Sequence, residues 1–382
     1  MIVEPKVRGF ICTTAHPTGC KKNVEEQIEY VKKQPKTQGA KKVLVIGAST
    51  GYGLATRINA AFSMNAATIG VMFERPSNGK RTASSGWYNT SAFEEYAHAD
   101  GLYAKTINGD AFSQEIKSQT VELIKADLGQ VDMVIYSLAS PRRTLADGTV
   151  VSSVLKTTNS DYTNKTIDLV TRKIAEVTVT SATEQEVADT VKVMGGEDWH
   201  DWISALSKGG VLAKNAVTVA YSYLGPSLTH PMYMNGSIGK AKEHLLLTAR
   251  SIPQEFKGVT AYVSVNKAVV TQSSAAIPIV PLYISILYKV MKQAGTHEGC
   301  IEQMYRLYHE KLPAGKTDEQ GMLRLDDLEM CDEVQAAVSA SWDKITDENI
   351  TALADVDGYW DDFYKMFGFH MTGVDYAADV EV

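Results

Sequence analysis

Short runs of apolar residues recur along the chain, and glycine or polar residues follow each of them. The first run extends from Val43 to Ile46 and is followed by Gly47. Five similar runs follow, at residues 68–73, 102–107, 132–138, 216–221 and 259–265. Apolar runs of this length are typical of parallel strands that are buried on both faces. Helical patterns lie between most of them, so the pattern predicts an α/β chain with a doubly wound parallel (Rossmann) sheet.

The segments around these runs predict the organisation of the chain. We expect one domain over residues 1–382, with helical insertions and a helical C-terminal extension. Its parts are a lead-in at 1–40, the sheet core at 41–140 and 213–275, an insertion at 141–212, and a helical substrate-side and C-terminal region at 276–382. After Lys316 the pattern turns helical, with candidate core residues Leu323, Leu325, Leu328, Val334 and Val338.

Composition and charge narrow the class of protein. The chain has 382 residues, of which 44% are hydrophobic and 22% charged, as in ordinary globular proteins. A net charge of -7 argues against a broad basic surface for nucleic acid. Four scattered cysteines do not form a disulfide framework, and the first residues lack the apolar core of a signal peptide. We therefore expect a cytoplasmic protein.

One stretch without charged residues lies between Lys267 and Lys289. It is long enough to span a bilayer, but Pro278, Pro281 and several polar residues interrupt it. We therefore expect a buried segment there and no stable membrane insertion.

The sequence from Gly47 to Gly53, Gly-Ala-Ser-Thr-Gly-Tyr-Gly, follows the first strand and opens a helix. Glycines allow a tight turn and a close approach of the backbone to a pyrophosphate, and the N-terminus of the helix faces the phosphates. The strand before and the helix after are the context that a dinucleotide site requires. The alternative is a glycine-rich turn without a ligand. Ala48, Ser49, Thr50, Gly51 and Tyr52 are the candidate contacts.

Glu74 follows the second strand, where a carboxylate accepts hydrogen bonds from adenosine ribose hydroxyls and repels a 2′-phosphate. This position favours NADH as the cofactor. Arg75 is adjacent, with Lys80 and Arg81 nearby. Because an arginine at this place accepts a 2′-phosphate, the strictness of NADH over NADPH stays open.

Three further segments follow strands and are candidates to contact a dinucleotide. Asp110, next to Ala111, either binds the adenine amine or is a turn aspartate. Leu138-Ala139 ends the fourth strand, where the backbone passes the cofactor. Thr271-Gln272-Ser273 follows the sixth strand, in position to meet the nicotinamide amide and its phosphates.

Tyr233 and Lys242 form the pair that predicts chemistry. Nine positions at about 100° per residue place two side chains on opposite sides of a continuous helix. If both residues act on one substrate, Tyr233 must lie ahead of the helix. Asn235-Gly236 is a turn signal and Ser237 is a suitable N-cap, which agrees with this placement.

The helix after this turn is expected to run from about Ile238 to about Ile252, before Pro253. Its apolar positions repeat with a 3.6-residue period and are Ile238, Ala241, Leu245, Ala249 and Ile252. Lys242 lies about 40° from Ile238, inside the apolar stripe, where a lysine is costly unless its charge has a partner. Lys240 lies on the opposite face and is expected to be solvated. The alternative for Lys242 is a side chain that snorkels at the edge of the stripe.

The chain resembles the trans-2-enoyl-CoA reductases and the similar FabV-type enoyl-ACP reductases, over nearly its whole length. The motifs that carry the resemblance are Arg8-Gly-Phe-Ile-Cys-Thr-Thr, His16-Pro17, Gly47-Ala-Ser-Thr-Gly-Tyr-Gly, Gly86-Trp-Tyr-Asn, Asn108-Gly-Asp-Ala-Phe-Ser, Tyr136-Ser-Leu-Ala-Ser-Pro-Arg-Arg, Val193-Met-Gly-Gly-Glu-Asp-Trp, Tyr221-Ser-Tyr-Leu-Gly-Pro and Tyr233-x8-Lys242. The region 144–180 departs from the family pattern, which leaves acyl-chain length and carrier open.

The resemblance implies an NADH-dependent reduction of trans-2-enoyl thioesters on coenzyme A or acyl carrier protein, with a role in fatty-acid synthesis. It implies that Tyr233 is the proton donor, that Lys242 binds the cofactor and that Tyr223 contacts the acyl substrate. It also implies a monomer, and that the cofactor contacts are Gly47 to Tyr52, Glu74, Arg75, Asp110, Ala111, Leu138, Ala139 and Thr271 to Ser273. From the residues alone, Tyr223 and Tyr233 are not ranked as the acid, and Tyr223 also fits an ordinary strand-end aromatic.

Two other functions fit the same sheet. One is a short-chain-type carbonyl reductase or alcohol dehydrogenase, and the other is a non-catalytic NADH sensor. The Tyr233 and Lys242 pair argues against a sensor, which needs no phenol beside the nicotinamide.

Two smaller clusters are less informative. Cys12, His16 and Cys20 have a spacing seen in metal sites but lack a clear fourth ligand, so we expect no metal there. Arg142-Arg143 either meets the phosphates of the acyl carrier or is a solvated pair.

Overall fold

The computed structural model describes residues 1–9 and 11–382, so Phe10 of the first motif lies outside the described residues. The strands are β1 (Val7–Arg8), β2 (Ile11–Cys12), β3 (Lys42–Ile46), β4 (Ala67–Met72), β5 (Ala104–Asn108), β6 (Val131–Tyr136), β7 (Arg142–Thr144), β8 (Val150–Ser152), β9 (Tyr162–Asp168), β10 (Lys173–Val179), β11 (Leu212–Ser222), β12 (Thr260–Val265) and β13 (Leu323–Arg324).

Helices connect most of these strands. They are α1 (Pro17–Lys33), α2 (Gly51–Phe62), α3 (Ser85–Ala99), α4 (Gln114–Asp127), α5 (Glu184–Met194), α6 (Glu197–Lys208), α7 (Ser237–Glu255), α8 (Val280–Ala294), α9 (Cys300–Arg306), α10 (Leu312–Ala314), α11 (Asp332–Lys344), α12 (Ile350–Leu353) and α13 (Val356–Lys365). One π-helical turn, Leu307–Lys311, joins α9 to α10.

Seven strands form one parallel sheet in the order β13-β12-β11-β6-β3-β4-β5. All six predicted strands are present in it, and the doubly wound fold is confirmed. From β3 the chain passes to β4 and β5 on one side of the sheet, and it then returns to form β6 on the other side of β3. A cleft opens at such a reversal, outside the carboxyl ends of the strands.

The side chains of β3 point alternately to the two faces of the sheet, and each face is covered by helices. Val43 and Val45 pack into a core with α1, α2 and α3, while Leu44 and Ile46 pack into a second core with α4, α6 and α7. All four side chains are fully buried. A strand of this kind carries no polar alternation, because neither face meets water.

The insertion contains structure that the apolar pattern did not predict. Strands β7 and β8 form one antiparallel hairpin, and β9 and β10 form another, before helices α5 and α6. Most side chains of β9 and β10 are exposed or half-buried. Because neither face of this hairpin is continuously buried, no apolar run marks its strands.

The C-terminal region packs a third core around α8, together with α11 and α13. Val334 and Val338 are buried on α11, as predicted. The helix expected directly after Lys316 is wrong, because Leu323–Arg324 pairs with β12 as the edge strand of the sheet and the next helix begins only at Asp332. Tertiary pairing at the sheet edge overrides the local helical pattern here.

Among the described residues, none of the helices combines the length and the apolar character needed to cross a bilayer.

Candidate active site

A cavity of about 1000 Å³ lies at the carboxyl edge of the sheet, next to the reversal between β3 and β6. The glycine-rich turn after β3 lines one part of it, and Tyr223, Tyr233 and Lys242 line another. The cavity is large enough for a dinucleotide and the reacting end of a substrate, because ligand pockets usually measure about 300–1,000 Å³.

The glycine-rich turn has the geometry of a phosphate-binding loop. Gly47 has a φ of 83°, and an added Cβ at Gly53 would lie 1.8 Å from the main-chain oxygen of Gly47. No side chain caps the N-terminus of α2, whose N-cap residue is Thr50. The backbone N–H groups of this terminus are therefore available to an anion. These residues fit the pyrophosphate of a dinucleotide.

Glu74 is fixed beside this turn. Ser49 Oγ donates a hydrogen bond of 2.6 Å to Glu74 Oε1, and the side-chain amide of Asn108 makes two hydrogen bonds with the Glu74 backbone. An added Cβ at Gly86 would lie 2.1 Å from Glu74 Oε1, so only glycine at position 86 leaves room for this arrangement. The carboxylate lines the cavity where the adenosine ribose is expected.

Most of the predicted cofactor contacts line the same cavity. They are Gly47, Ser49, Thr50, Gly51, Tyr52, Glu74, Asp110, Ala111, Leu138, Ala139, Lys242, Thr271, Gln272 and Ser273. Asp110 also accepts a hydrogen bond from the backbone N–H of Phe112, so it is a turn aspartate at the cavity wall.

Two of the predicted contacts lie elsewhere. Ala48 is buried in the core, and Arg75 is not among the residues that line the cavity. The guanidinium of Arg75 donates to the main-chain oxygen of Thr82 at 3.4 Å. The guanidinium of Arg75 therefore contacts the backbone of the loop before α3, whereas Glu74 lines the cavity.

Tyr233 lies in a series of turns directly before α7, as its spacing from Lys242 predicts. Gly239 allows this fold, because an added Cβ there would lie 2.0 Å from the main-chain oxygen of Tyr233. The N-cap of α7 is Gly236, so the expected cap Ser237 is wrong. Ser237 Oγ instead donates to the main-chain oxygen of Val154, in the insertion.

The insertion also holds the turn that carries Tyr233. The backbone N–H and the hydroxyl of Thr158 both donate to the main-chain oxygen of Asn235, at 2.9 and 2.7 Å. The backbone N–H of Ser237 donates to the main-chain oxygen of Lys156 at 2.8 Å. These hydrogen bonds from the insertion hold the turn that carries the Tyr233 phenol in place.

Helix α7 has the predicted phase. Its five predicted stripe residues, Ile238, Ala241, Leu245, Ala249 and Ile252, are all buried. Lys240 is exposed, also as predicted, and it forms an ion pair with Glu243. The helix ends at Glu255, about one turn later than expected, and contains Pro253.

Lys242 reaches into the cavity. Its Nζ donates a hydrogen bond of 3.1 Å to the main-chain oxygen of Tyr221 at the end of β11. Burial lowers the pKa of Lys242 to about 8. The ammonium has no carboxylate within ion-pair distance among the described residues. It is therefore a cation that remains available to a ligand.

Tyr223 and Tyr233 face each other across the site. Their ring centroids are 4.6 Å apart in an edge-on arrangement. Burial, and then the Glu329 carboxylate, raise the pKa of both phenols. Both hydroxyls therefore keep their hydrogens at neutral pH. The Tyr233 hydroxyl has no hydrogen-bond partner among the described side chains, whereas Tyr223 Oη donates to Glu329 Oε1 at 2.9 Å.

Sequence reasoning missed Glu329 and Lys267, two fully buried charged residues beside the tyrosines. Lys267 Nζ donates to the main-chain oxygen of Ala268, and burial lowers the pKa of Lys267 to about 8. Lys267 lies two residues after β12, which was the available signal, since polar residues at strand ends reach the cleft of such a sheet. Nothing in the polar loop around Glu329 marks it as buried.

The two arginines after β6 have different surroundings. Arg143 is buried and bonded to Glu197, Asp201 and the main-chain oxygen of Lys192. Arg143 is therefore neither a solvated residue nor a group that is free to meet the phosphates of a carrier. Arg142 is exposed and lines the cavity, where it stays a candidate for the phosphates of a carrier.

His16 and Cys20, two of the three residues with a spacing seen in metal sites, have structural roles at the start of α1. His16 is the N-cap of α1, and its Nδ1 accepts a hydrogen bond from the backbone N–H of Gly19 at 3.1 Å. Cys20 is fully buried in the first turns of that helix. The helix begins at Pro17, because this cap satisfies one of the free N–H groups of its first turn.

The arrangement suits hydride chemistry on a conjugated carbonyl compound. A phenol with a free hydroxyl and a half-buried ammonium lie in the same cavity as a dinucleotide-binding turn. A phenol in a site from which water is excluded stabilises negative charge as it develops on a carbonyl oxygen.

Comparison with known proteins identifies the chain's relatives. A family model described as the trans-2-enoyl-CoA reductase catalytic region matches residues 81–313, and one described as the NAD(P)H binding domain of trans-2-enoyl-CoA reductase matches residues 2–79. An enoyl-[acyl-carrier-protein] reductase [NADH] of Cytophaga hutchinsonii is 57% identical over 100% of this chain and 98% of its own length. A trans-2-enoyl-CoA reductase [NADH] of Ruminiclostridium cellulolyticum is 55% identical, with the same coverage.

A solved structure has the same fold. The crystal structure of a Clostridium acetobutulicum trans-2-enoyl-CoA reductase in complex with NADH matches with a TM-score of 0.96 and 43% identity. The match covers 100% of this chain and 98% of that one.

A third model, described as an enoyl reductase FAD binding domain, matches residues 317–380. This segment consists of the two-residue strand β13 and the helices α11 to α13, without a strand–glycine–helix turn for a second pyrophosphate. Its Gly368 packs on the backbone of α1, where an added Cβ would lie 2.4 Å from the Cys20 nitrogen. The residues of this segment do not fit a flavin dinucleotide.

Proposed function

The chain belongs to the trans-2-enoyl-CoA reductase family, and we propose that Tyr233 and Lys242 carry out its reaction. It is an NADH-dependent oxidoreductase that reduces the carbon–carbon double bond of trans-2-enoyl thioesters. Bound NADH supplies a hydride to the β-carbon of the enoyl group. The remaining chemistry consists of stabilising the charge that this addition creates and of supplying a proton.

The free hydroxyl of Tyr233 is the observation that carries the assignment of the proton donor. When hydride adds to the β-carbon, negative charge develops on the thioester oxygen. Tyr233 Oη donates a hydrogen bond to that oxygen and then supplies a proton, directly or through a water. Its raised pKa keeps the hydroxyl protonated before the reaction.

Lys242 has two roles in this proposal. Its ammonium donates hydrogen bonds to the nicotinamide ribose hydroxyls, and its charge makes the growing negative charge less costly. The Tyr221 carbonyl uses one of its three hydrogens, so two remain for the ribose.

Glu74 is proposed to select NADH. Its carboxylate accepts hydrogen bonds from the adenosine ribose and repels a 2′-phosphate. The hydrogen bond from Arg75 to the Thr82 backbone supports this, because it holds that guanidinium outside the cavity that Glu74 lines. Asp110, Leu138, Ala139 and Thr271 to Ser273 are proposed to complete the cofactor site.

The substrate is an acyl thioester. We propose that Tyr223 contacts its acyl part and that Arg142 meets the phosphates of the carrier arm, which coenzyme A and acyl carrier protein share. A role in fatty-acid synthesis agrees with the enoyl-[acyl-carrier-protein] reductase name of several relatives.

A monomer in the cytoplasm, organised as the single domain described above, completes the proposal. Its four cysteines are free thiols, in keeping with a reducing compartment. The mass of the protein in solution tests the monomeric state.

The purified protein with crotonyl-CoA and NADH tests the function through the loss of NADH absorbance. Turnover is expected with crotonyl-CoA, with crotonyl-acyl carrier protein, or with both, and the ratio of the two rates gives the carrier preference. Absence of turnover with short and medium enoyl thioesters on both carriers would overturn the proposal.

A further inference from the structure

Glu329 is a fully buried carboxylate at the edge of the reacting site. It lies between β13 and α11, in the segment whose family description names a flavin. Its Oε1 accepts hydrogen bonds from Tyr223 Oη at 2.9 Å and Tyr283 Oη at 2.6 Å, and its Oε2 accepts from the backbone N–H of Ala268 at 2.7 Å. No step of the proposed reaction uses this group.

The hydrogen-bonding capacity of these groups fixes their directions. A carboxylate only accepts hydrogen bonds, and a phenol has a single hydrogen. While Glu329 is ionised, the Tyr223 hydrogen points to Glu329 and away from the cavity. Tyr283 Oη also accepts a hydrogen bond from Gln335, which leaves its own hydrogen for Glu329.

Four neighbouring groups favour the ionised form of Glu329: Lys267, Tyr283, Tyr223 and the backbone N–H of Ala268. Burial is the largest effect and holds the pKa of Glu329 above its usual value, while the Lys267 ammonium and the three donors act in the opposite direction. Lys267 is linked to it through one residue, since Lys267 Nζ donates to the Ala268 oxygen and the Ala268 N–H donates to Glu329. A carboxylate that accepts several hydrogen bonds is stabilised in its charged state.

Tyr223 connects this carboxylate to the donor. Its ring packs edge-on against Tyr233. Because Glu329 holds the Tyr223 hydroxyl, it also holds this ring, and the ring in turn limits the orientations of Tyr233. Of the two facing phenols, only Tyr233 then has a hydrogen to give to a substrate.

We propose that Glu329 is a positioning residue, which keeps the Tyr223 hydrogen out of the cavity and orients Tyr233 through the Tyr223 ring. This inference rests on the proposed role of Tyr233. It assigns a role in the reaction to the C-terminal segment, which provides a carboxylate to the site.

The test is a double-mutant cycle on kcat. Glu329→Gln keeps the shape of the side chain, but one of its two acceptor oxygens becomes an amide nitrogen that only donates, so the two phenols and the Ala268 N–H no longer all have an acceptor. We expect kcat to fall about 10- to 100-fold, the kinetic equivalent of a hydrogen bond to a charged group, with KM for NADH unchanged. In a Tyr223→Phe background, the same substitution should cause little further loss.

Tyr283→Phe is the matched control, because Tyr283 binds the same carboxylate oxygen, whereas Tyr223 is the tyrosine whose ring packs edge-on against Tyr233. In that background, Glu329→Gln should keep its full effect on kcat. Equal, independent losses in both backgrounds would overturn the proposal, because they indicate a structural role only. If Glu329→Gln does not fold, Glu329→Asp allows the same comparison, since its shorter side chain also withdraws the acceptor from Tyr223.

The same assay separates this inference from the function on which it depends. Turnover by the wild-type protein and its loss in Tyr233→Phe test the proposed reaction. If both are observed while the cycle is additive, the inference about Glu329 fails and the proposed function stands.

Discussion

The Nζ of Lys242 lies 3.1 Å from the main-chain oxygen of Tyr221, so the lysine reaches back from α7 to the carboxyl end of β11. The contact places a cation at the edge where a dinucleotide binds. It uses a backbone acceptor, which cannot neutralise the charge. The ammonium therefore keeps its attraction for a ligand.

Replacing Lys242 by alanine should remove most of the activity. We expect kcat/KM for NADH to fall about 100-fold, as for the loss of a hydrogen bond from a charged group. Lys240→Ala is the matched control, because Lys240 is exposed and pairs only with Glu243. An active Lys242→Ala beside an inactive Lys240→Ala would contradict the helix phase.

Replacing Tyr233 by phenylalanine removes the hydroxyl and keeps the ring. We expect kcat with crotonyl-CoA to fall about 10²- to 10⁴-fold, the usual contribution of a positioned proton donor. Tyr103→Phe, a change at a hydroxyl that binds Asp127 outside the cavity, should leave kcat near the wild-type value. If Tyr233→Phe retained its rate, Tyr233 would not be the donor.

Glu74→Ala should relax the preference for NADH over NADPH. The substitution removes the charge that repels a 2′-phosphate and the acceptor for the ribose hydroxyls, so KM should rise for NADH and fall for NADPH. Initial rates with both cofactors measure the change, and Glu122→Ala, at an exposed carboxylate, is the control. Unchanged discrimination would remove Glu74 from this role.

Activity should decrease as the pH rises through about 8. Burial lowers the pKa of Lys242 to that value, so its ammonium is charged below about pH 8 and loses its charge above it. The profile of kcat/KM for NADH reports the free protein. Lys267 has a similarly lowered pKa, so the variant Lys242→Arg identifies the group. Its profile should lack this decrease, and a decrease that persists near pH 8 would assign it to another group.

We expect the buried ion pair between Lys117 and Asp198 to contribute to the free energy of unfolding. Lys117 Nζ lies 2.6 Å from Asp198 Oδ1, both side chains are buried, and Tyr136 Oη donates to Asp198. Asp198→Ala leaves the lysine buried without its partner, which costs about 3–5 kcal/mol of unfolding free energy. Urea unfolding measures the loss. Glu122→Ala, which breaks an exposed pair, should cost less than about 1 kcal/mol, and an equal cost in both variants would contradict the argument.

The elements that were predicted correctly are those in which each face has the same environment, buried or exposed, along its whole length. The strand Val43 to Ile46 is apolar throughout because both faces of the sheet are covered, and α7 shows its buried stripe because one face meets the sheet. The placement of Tyr233 ahead of the helix that carries Lys242 followed from helical geometry, from the turn signal Asn235-Gly236 and from the premise that both residues act on one substrate. These properties are local and depend on a few consecutive residues.

Features that depend on distant contacts were not predicted. Ser237 looks like an N-cap, yet its hydroxyl bonds to Val154 in the insertion. Leu323 looks helical, yet it lies in a strand because the edge of β12 offers backbone partners. Glu329 looks like a solvated loop residue, and only its contacts with Tyr223 and Tyr283 reveal a buried carboxylate. Each of these residues has partners far from it in the sequence.

The hydrogen bonds from Thr158 to Asn235 limit how far this protein can be reduced in size. A minimal reductase that keeps the seven-stranded sheet and deletes the hairpins would expose the backbone acceptors of the turn before α7. The phenol would then sit on a segment free to sample many conformations. Engineers who wish to shorten or exchange the hairpins should therefore preserve residues 154–158 as part of the active site.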